Sequence, residues 1–212
     1  MDELKDLEVN EVKPEPEYDF DEREMMRYRT NGLSYKLGLG GMAFSMFGAF
    51  ICLNSMNPNS FQVILIILLN VVILLGGFLA AEKVKAYSSQ GAIAQIVFGG
   101  VCAARILYIP LILVINYAKY MSSVDYNEET GKLVFIDQAK AEEAKNYLGA
   151  TVISKYEGTV ANAYLPASGY FRGISAMVLF ALAAACFIAA GIIGYKRAKT
   201  LESYMNSLAE NN

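Results

Sequence analysis

Residues 91–117 read GAIAQIVFGGVCAARILYIPLILVINY, an apolar run long enough to cross a bilayer that nevertheless carries Arg105 near its middle. The reading of this stretch decides the fold. Three other long apolar runs accompany it, and none of the four contains an Asp or a Glu. Arg105 is thus a full charge placed deep in apolar sequence with no counter-charge nearby. A charge at that depth is costly, so a functional site is the first hypothesis for it.

The whole chain has 212 residues, of which 55% are hydrophobic, too apolar for an ordinary soluble domain. Four segments reach the roughly 18-residue length of a spanning helix. They are Leu33–Leu53, Phe61–Ala81, Gly91–Tyr117 and Tyr170–Tyr195. The expected fold is an all-α integral membrane protein with four transmembrane helices and a small extracytoplasmic α+β module between helices three and four. Residues 1–32 form a flexible acidic cytoplasmic tail that ends in a basic juxtamembrane collar. Residues 33–117 hold helices one to three, 118–169 the module, 170–195 helix four and 196–212 a second cytoplasmic tail.

Orientation follows from the basic residues. Arg23, Arg27, Arg29 and Lys36 precede or open the first span, Lys83 and Lys85 follow the second, and Lys196, Arg197 and Lys199 follow the fourth. Positive residues collect on the cytoplasmic side, so both termini are expected there. The four collar residues are also candidates for contact with anionic lipid headgroups. The N-terminal tract lacks the basic, apolar and small-residue succession of a cleavable signal peptide, which leaves the first span as the anchor. No N-glycosylation acceptor sequence occurs. A bacterial plasma membrane is the expected location.

Within the spans, Gly41 and Ser45 have the four-residue spacing of small residues that lets helices approach closely, and so do Ala181, Ala185 and Ala189. The alanines are expected to pack inside the protein, with a subunit interface as the alternative. Asn70, midway along the second span, is the natural partner for Arg105. Counted from the Glu82–Gln90 connector at 1.5 Å per residue, Asn70 lies roughly 17 Å along its helix and Arg105 roughly 21 Å along the next, within reach of a guanidinium. The hydroxyl of Tyr108, one turn on, is a further candidate acceptor.

The module is expected to contain a hairpin, Ser123–Asn127 with Lys132–Ile136, closed by Gly131. A helix capped by Asp137 should run through Tyr147, end at Gly149 and give way to an extended stretch from Thr151 to Tyr156. Fifty or so residues without a disulfide would lean on the spans for stability. Asp125, Asn127 and Glu129 faintly suggest a calcium loop, but the glycine falls one place late and the last acidic ligand is missing, so the hairpin reading is preferred.

Leu165-Pro166-Ala167-Ser168-Gly169, followed by an apolar segment and then Lys196, Arg197 and Lys199, resembles the cell-wall sorting signal cleaved by sortases. The likeness covers the last fifth of the chain and has Ser168 where threonine is usual. Three preceding spans favour a simpler reading, a proline turn that feeds the chain into span four. The position of the large loop resembles tetraspanins in outline only, since the loop cysteines of that family are missing.

The chain has no His, and its three cysteines, Cys52, Cys102 and Cys186, all fall in the spans. No metal or cofactor is expected from these residue types, and no arranged nucleophile and base points to an enzyme. The net charge of −3 and the absence of a basic stripe give no reason to expect nucleic-acid binding. The favoured function is a non-catalytic subunit or interaction partner of a larger membrane assembly, with Arg105 paired to an acid of a partner or a lipid. Its partners would be membrane lipids and a second membrane protein or another copy of the chain. The alternative is a small oligomeric transporter or channel with Arg105 and Asn70 lining an anion or solute pathway.

Overall fold

The computed structural model describes residues 25–27, 29–57, 61–127, 129–130, 132–149 and 167–210. Four long helices dominate it: α1 (Gly32–Leu53), α2 (Phe61–Lys85), α3 (Ser89–Ser122) and α5 (Ala167–Glu210). Each is long and apolar enough to cross a membrane. Between α3 and α5 lie strands β1 (Val124–Asn127) and β2 (Lys132–Phe135) and the short helix α4 (Gln138–Lys145). Gly194 of α5 sits against Ser34 and Ala92, near the starts of α1 and α3, while Gly169 sits against Tyr117, so α5 runs antiparallel to both.

Side-chain size decides which surfaces meet. α5 packs chiefly on α3 and α1, whereas α2 lies on α1 and α3 and scarcely meets α5. A Cβ on Gly41 would stand 2.9 Å from the Phe187 ring, and one on Gly99 would stand 2.6 Å from the Ile188 side chain. These contacts are glycine hollows receiving large side chains of α5. α2 turns Ile64, Leu68, Val71, Leu75 and Leu79 outward, a continuous apolar face suited to hydrocarbon.

The alanine stripe is placed differently from the expectation of internal packing. Ala181 and Ala185 are exposed and Ala189 is half-buried. The inward face of α5 is formed by Ala176, Phe180, Ala183, Ala184, Phe187 and Ala190. Four-residue spacing marks a stripe of small residues without saying which way it faces. Here the phase is set by Phe180 and Phe187, which enter the hollows at Gly48 and Gly41.

α2 and α3 overrun the limits of their apolar spans, whereas the C-terminal tail does what its Leu201, Met205 and Leu208 spacing suggests and extends span four as helix. The fourth span and the C-terminal tail are one helix of 44 residues, about 66 Å at 1.5 Å per residue and far longer than hydrocarbon requires. No Gly or Pro interrupts residues 196–210, and Lys199 pairs with Glu202 at 2.8 Å on the same face. The connector expected at 82–90 shrinks to Ala86, Tyr87 and Ser88. Tyr87 takes a left-handed φ of 59°, a conformation more usual for glycine, and this reverses the chain in so few residues. The Ser88 hydroxyl then caps α3 by accepting the Gly91 N–H at 3.3 Å.

In the module, β1 and β2 pair antiparallel from Val124 opposite Phe135 to Asn127 opposite Lys132. Asn127 Oδ1 accepts the N–H groups of Glu129 and Thr130 at 2.9 and 3.1 Å, so this oxygen closes the turn. Asp137 caps α4 by accepting the Lys140 N–H at 3.1 Å. Gly149 does not end α4, whose C-cap is Asn146. It passes instead along the α1–α2 connector, where a Cβ would come 2.9 Å from the Met56 carbonyl oxygen. Leu148 forms an antiparallel bridge with Met56. Two backbone bonds flank it, Asn57 N–H to Tyr147 O at 3.1 Å and Gly149 N–H to Ser55 O at 2.9 Å. Ala141, Ala144 and Leu148 are buried in one core with Cys52, Met56, Tyr117, Tyr120 and Val124. The module therefore shares its core with the bundle. Gly131, Thr151–Tyr156 and Leu165-Pro166 lie outside the described residues, while Ala167–Gly169 form the first turn of α5.

Candidate functional site

Cys102, Arg105 and Ile109 recur at the three- and four-residue spacing of one helix face, and α3 turns that face inward. Arg105 is consequently only 3% exposed. Its Nη1 donates to Ser45 Oγ of α1 at 3.2 Å and to Asn70 Oδ1 of α2 at 3.1 Å. Its guanidinium carbon lies 4.4 Å from the centre of the Phe180 ring of α5. All four long helices thus contribute to one polar level of the bundle.

The guanidinium is incompletely satisfied. Nε and Nη2 are buried with no hydrogen-bond partner among the described residues. Leaving a buried donor unpaired costs about 1–3 kcal/mol, while a desolvated cation over an aromatic face recovers about 2 kcal/mol. What this level offers chemically is a fixed positive charge with two open donor edges, suited to holding an anion or an acceptor oxygen.

Ser45 and Asn70 join Arg105, but Tyr108 does not. Tyr108 is half exposed, because three residues turn a helix through about 300° and leave it about 60° off the arginine stripe. Gly41, the other half of the small-residue pair, is buried against Phe187. Phe180 was not legible as a site residue, since nothing distinguishes it from the other aromatics of its span.

A second buried polar level lies nearer the end of the bundle that carries the N-terminus of α1. Gln95 is fully buried, with its amide packed against Gly38 and neither polar atom partnered among the described residues. Near it, Ser34 Oγ and Asn31 Nδ2 are buried and unpartnered in the same sense. Asn31 Oδ1 accepts from Arg197 Nη1 at 2.9 Å, and the Asn31 N–H donates to Lys85 O at 3.1 Å. Gln95 carries the same signal as Asn70, a lone amide within an apolar span. Met42, Ile73, Cys102 and Phe187, with Leu39 and Phe98 packed against them, form an apolar layer between the two levels.

Arg27, Arg29 and Lys36 are exposed at this same end, and Arg23 lies outside the described residues. Arg197 joins Arg29 and Lys36 around one cavity, a meeting that no local pattern announces because the chain between them spans the whole bundle.

Comparison of the chain with known protein families, with curated proteins and with solved structures finds no match. Fold and site define the class by themselves: a mostly helical chain with the four long apolar helices of a multi-pass membrane protein and a small two-stranded sheet. Within that class it is a bundle organised around one enclosed arginine.

Proposed function

We propose that the chain is a non-catalytic four-span protein of the bacterial plasma membrane, with both termini cytoplasmic, that serves as a subunit or interaction partner in a larger membrane assembly. The observation that carries this reading is the outward position of Ala181 and Ala185 on α5. Small residues on a lipid-facing surface let a second helix approach closely, and van der Waals contact drives association in hydrocarbon. Arg105 has a different role in this reading from an intermolecular ion pair. Enclosed by helices of its own chain, it ties α1, α2 and α3 together through Ser45 and Asn70.

The test is purification of the tagged full-length chain in mild detergent beside Ala181→Phe/Ala185→Phe and Arg105→Leu. A stoichiometric membrane protein, or a second copy of the chain, should be retained by the wild type and by Arg105→Leu and lost from the alanine variant. Recovery of an unassociated monomer in every case would overturn the reading.

A second reading, a small oligomeric transporter or channel for an anion, draws support from the two unpartnered guanidinium nitrogens. The apolar layer of Met42, Ile73 and Phe187 counts against a continuous polar path. Anion flux in liposomes that Arg105→Leu abolishes would favour this reading over the first.

A further inference from the structure

At the end of the bundle that carries the N-terminus of α1, a cavity of about 430 Å³ opens between the residues preceding α1, the α2–α3 turn and the extension of α5. Arg29, Lys36 and Arg197 line it, with Tyr87 from the turn. Three basic residues thus border one space, and no carboxylate among the described residues lines it. The carboxylates described nearby are engaged elsewhere: Glu82 with Lys85 at 3.8 Å and Glu202 with Lys199 at 2.8 Å. Like charges brought around one cavity repel unless an anion sits between them.

Two further features fit an anion. Gly32 and Leu33, the first residues of α1, also line the cavity, and although the Gly32 N–H is taken by Thr30 O at 2.8 Å, the N-terminus of a 22-residue helix turns the positive end of its dipole to this side. Asn31, at the N-cap position, makes no side-chain cap bond there, because its Oδ1 is taken by Arg197. The wall is also amphipathic. Met25 and Leu33, both more than half exposed, stand beside the cations. That is the arrangement expected where a charged headgroup passes into acyl chain.

We propose that this cavity is a binding site for a phosphate group, with Arg29, Lys36 and Arg197 as its charge partners, and that an anionic phospholipid supplies the phosphate. The site is independent of the partner interface on α5 and rests only on the chain being a membrane protein. Arg197 already has its orientation set by Asn31. Arg29 and Lys36 are exposed and have no ion-pair partner among the described residues, so they close on the ligand from the open side.

Full-length protein in detergent would be titrated with short-chain phosphatidylglycerol and with phosphatidylcholine of the same chain length, and binding read by native mass spectrometry. Tight binding of phosphatidylglycerol alone is expected. Arg29→Gln/Lys36→Gln should weaken it roughly thirty-fold, from about one kilocalorie-scale contact per cation, while Lys140→Gln at the far end of the bundle leaves it unchanged. Competition arms identify the source of the phosphate. Failure of millimolar inorganic phosphate and glycerol phosphate to compete supports the lipid, whereas full displacement by either overturns the lipid as the source and leaves a soluble phosphate. Equal binding of the two lipids, or insensitivity to Arg29→Gln/Lys36→Gln, would overturn the site. So would binding that appears only in a full-length variant with Glu15, Glu17, Asp19, Asp21 and Glu22 neutralised, which would make the chain's own carboxylates the occupant. None of these outcomes depends on whether a partner binds Ala181 and Ala185.

Discussion

The guanidinium of Arg105 rests on the face of Phe180, its carbon 4.4 Å from the ring centre, so the one deep charge of the bundle is opposed on α5 by an aromatic surface and not by a carboxylate. The ring tolerates a charge it does not neutralise, and the polar partners on α1 and α2 satisfy one nitrogen of the three.

That imbalance makes a directional prediction about stability. Replacing a buried, partly satisfied charge by an apolar side chain of similar volume is often neutral or stabilising, whereas removing a partner strands the charge. Arg105→Leu should therefore leave the unfolding temperature in detergent unchanged or raise it. Asn70→Leu should lower stability by about 1–3 kcal/mol, and the Arg105→Leu/Asn70→Leu double variant should recover most of the loss. Thermal unfolding of the four proteins in one detergent checks this; a large loss in Arg105→Leu alone would contradict it.

Close approach of α1 and α5 at Gly41 gives a second test. Gly41→Leu must displace the Phe187 ring, and overpacking of this kind costs about 1–3 kcal/mol. Gly100→Ala, on the exposed face of α3 with nothing within 4 Å of the added carbon, should be harmless or slightly stabilising. A Phe187→Ala change made together with Gly41→Leu should restore part of the loss.

Asp137 supplies a pH dependence with a definite sign. Its bond to the Lys140 side chain, and next the Lys140 backbone N–H, hold its carboxyl below the ordinary value of 3.8. The cap thus contributes its full stabilisation above that ordinary value and loses it as pH falls through the lower folded one. Protection factors of the α4 amides, taken relative to intrinsic exchange at each pH, should fall on acidification through this range in the wild type. Asp137→Asn, which caps without titrating, should show no such acid step at this helix.

The docking of the module predicts a crosslink. Met56 and Leu148 form a pair whose neighbours carry the hydrogen bonds, the arrangement in which opposed Cα atoms lie only about 4.5 Å apart, inside the range a disulfide accepts. Met56→Cys/Leu148→Cys should oxidise readily and raise the unfolding temperature. Failure to crosslink under mild oxidant would mean that module and connector do not meet.

Much of the architecture was legible because it depends on local properties. Apolar length places α1, α2 and α3, strand patterning locates the hairpin, and capping chemistry locates Asp137. The meeting of Arg105 with Asn70 could be reckoned from helical rise alone. What was hidden depends on facing. Ala181 and Ala185 share a stripe with no label saying inward or outward, and only the fit of Phe180 and Phe187 into α1 assigns it. Tyr108 failed as a site residue for the same reason, an angular offset that spacing understates. Leu148 pairing with Met56, and Arg197 meeting Arg29, join segments far apart in the chain, and no pattern within either segment encodes the other.

The Met56–Leu148 bridge also bears on how the molecule is made. Its two sides are separated by about ninety residues, so the connector is synthesised well before the segment that will cover it exists. Until α3 has been threaded across and the module has followed, the backbone groups at Ser55 and Asn57 must be satisfied by water or by a chaperone. The bridge is therefore a late closing step, and a chain stalled before residue 148 would display an open edge that the finished protein conceals.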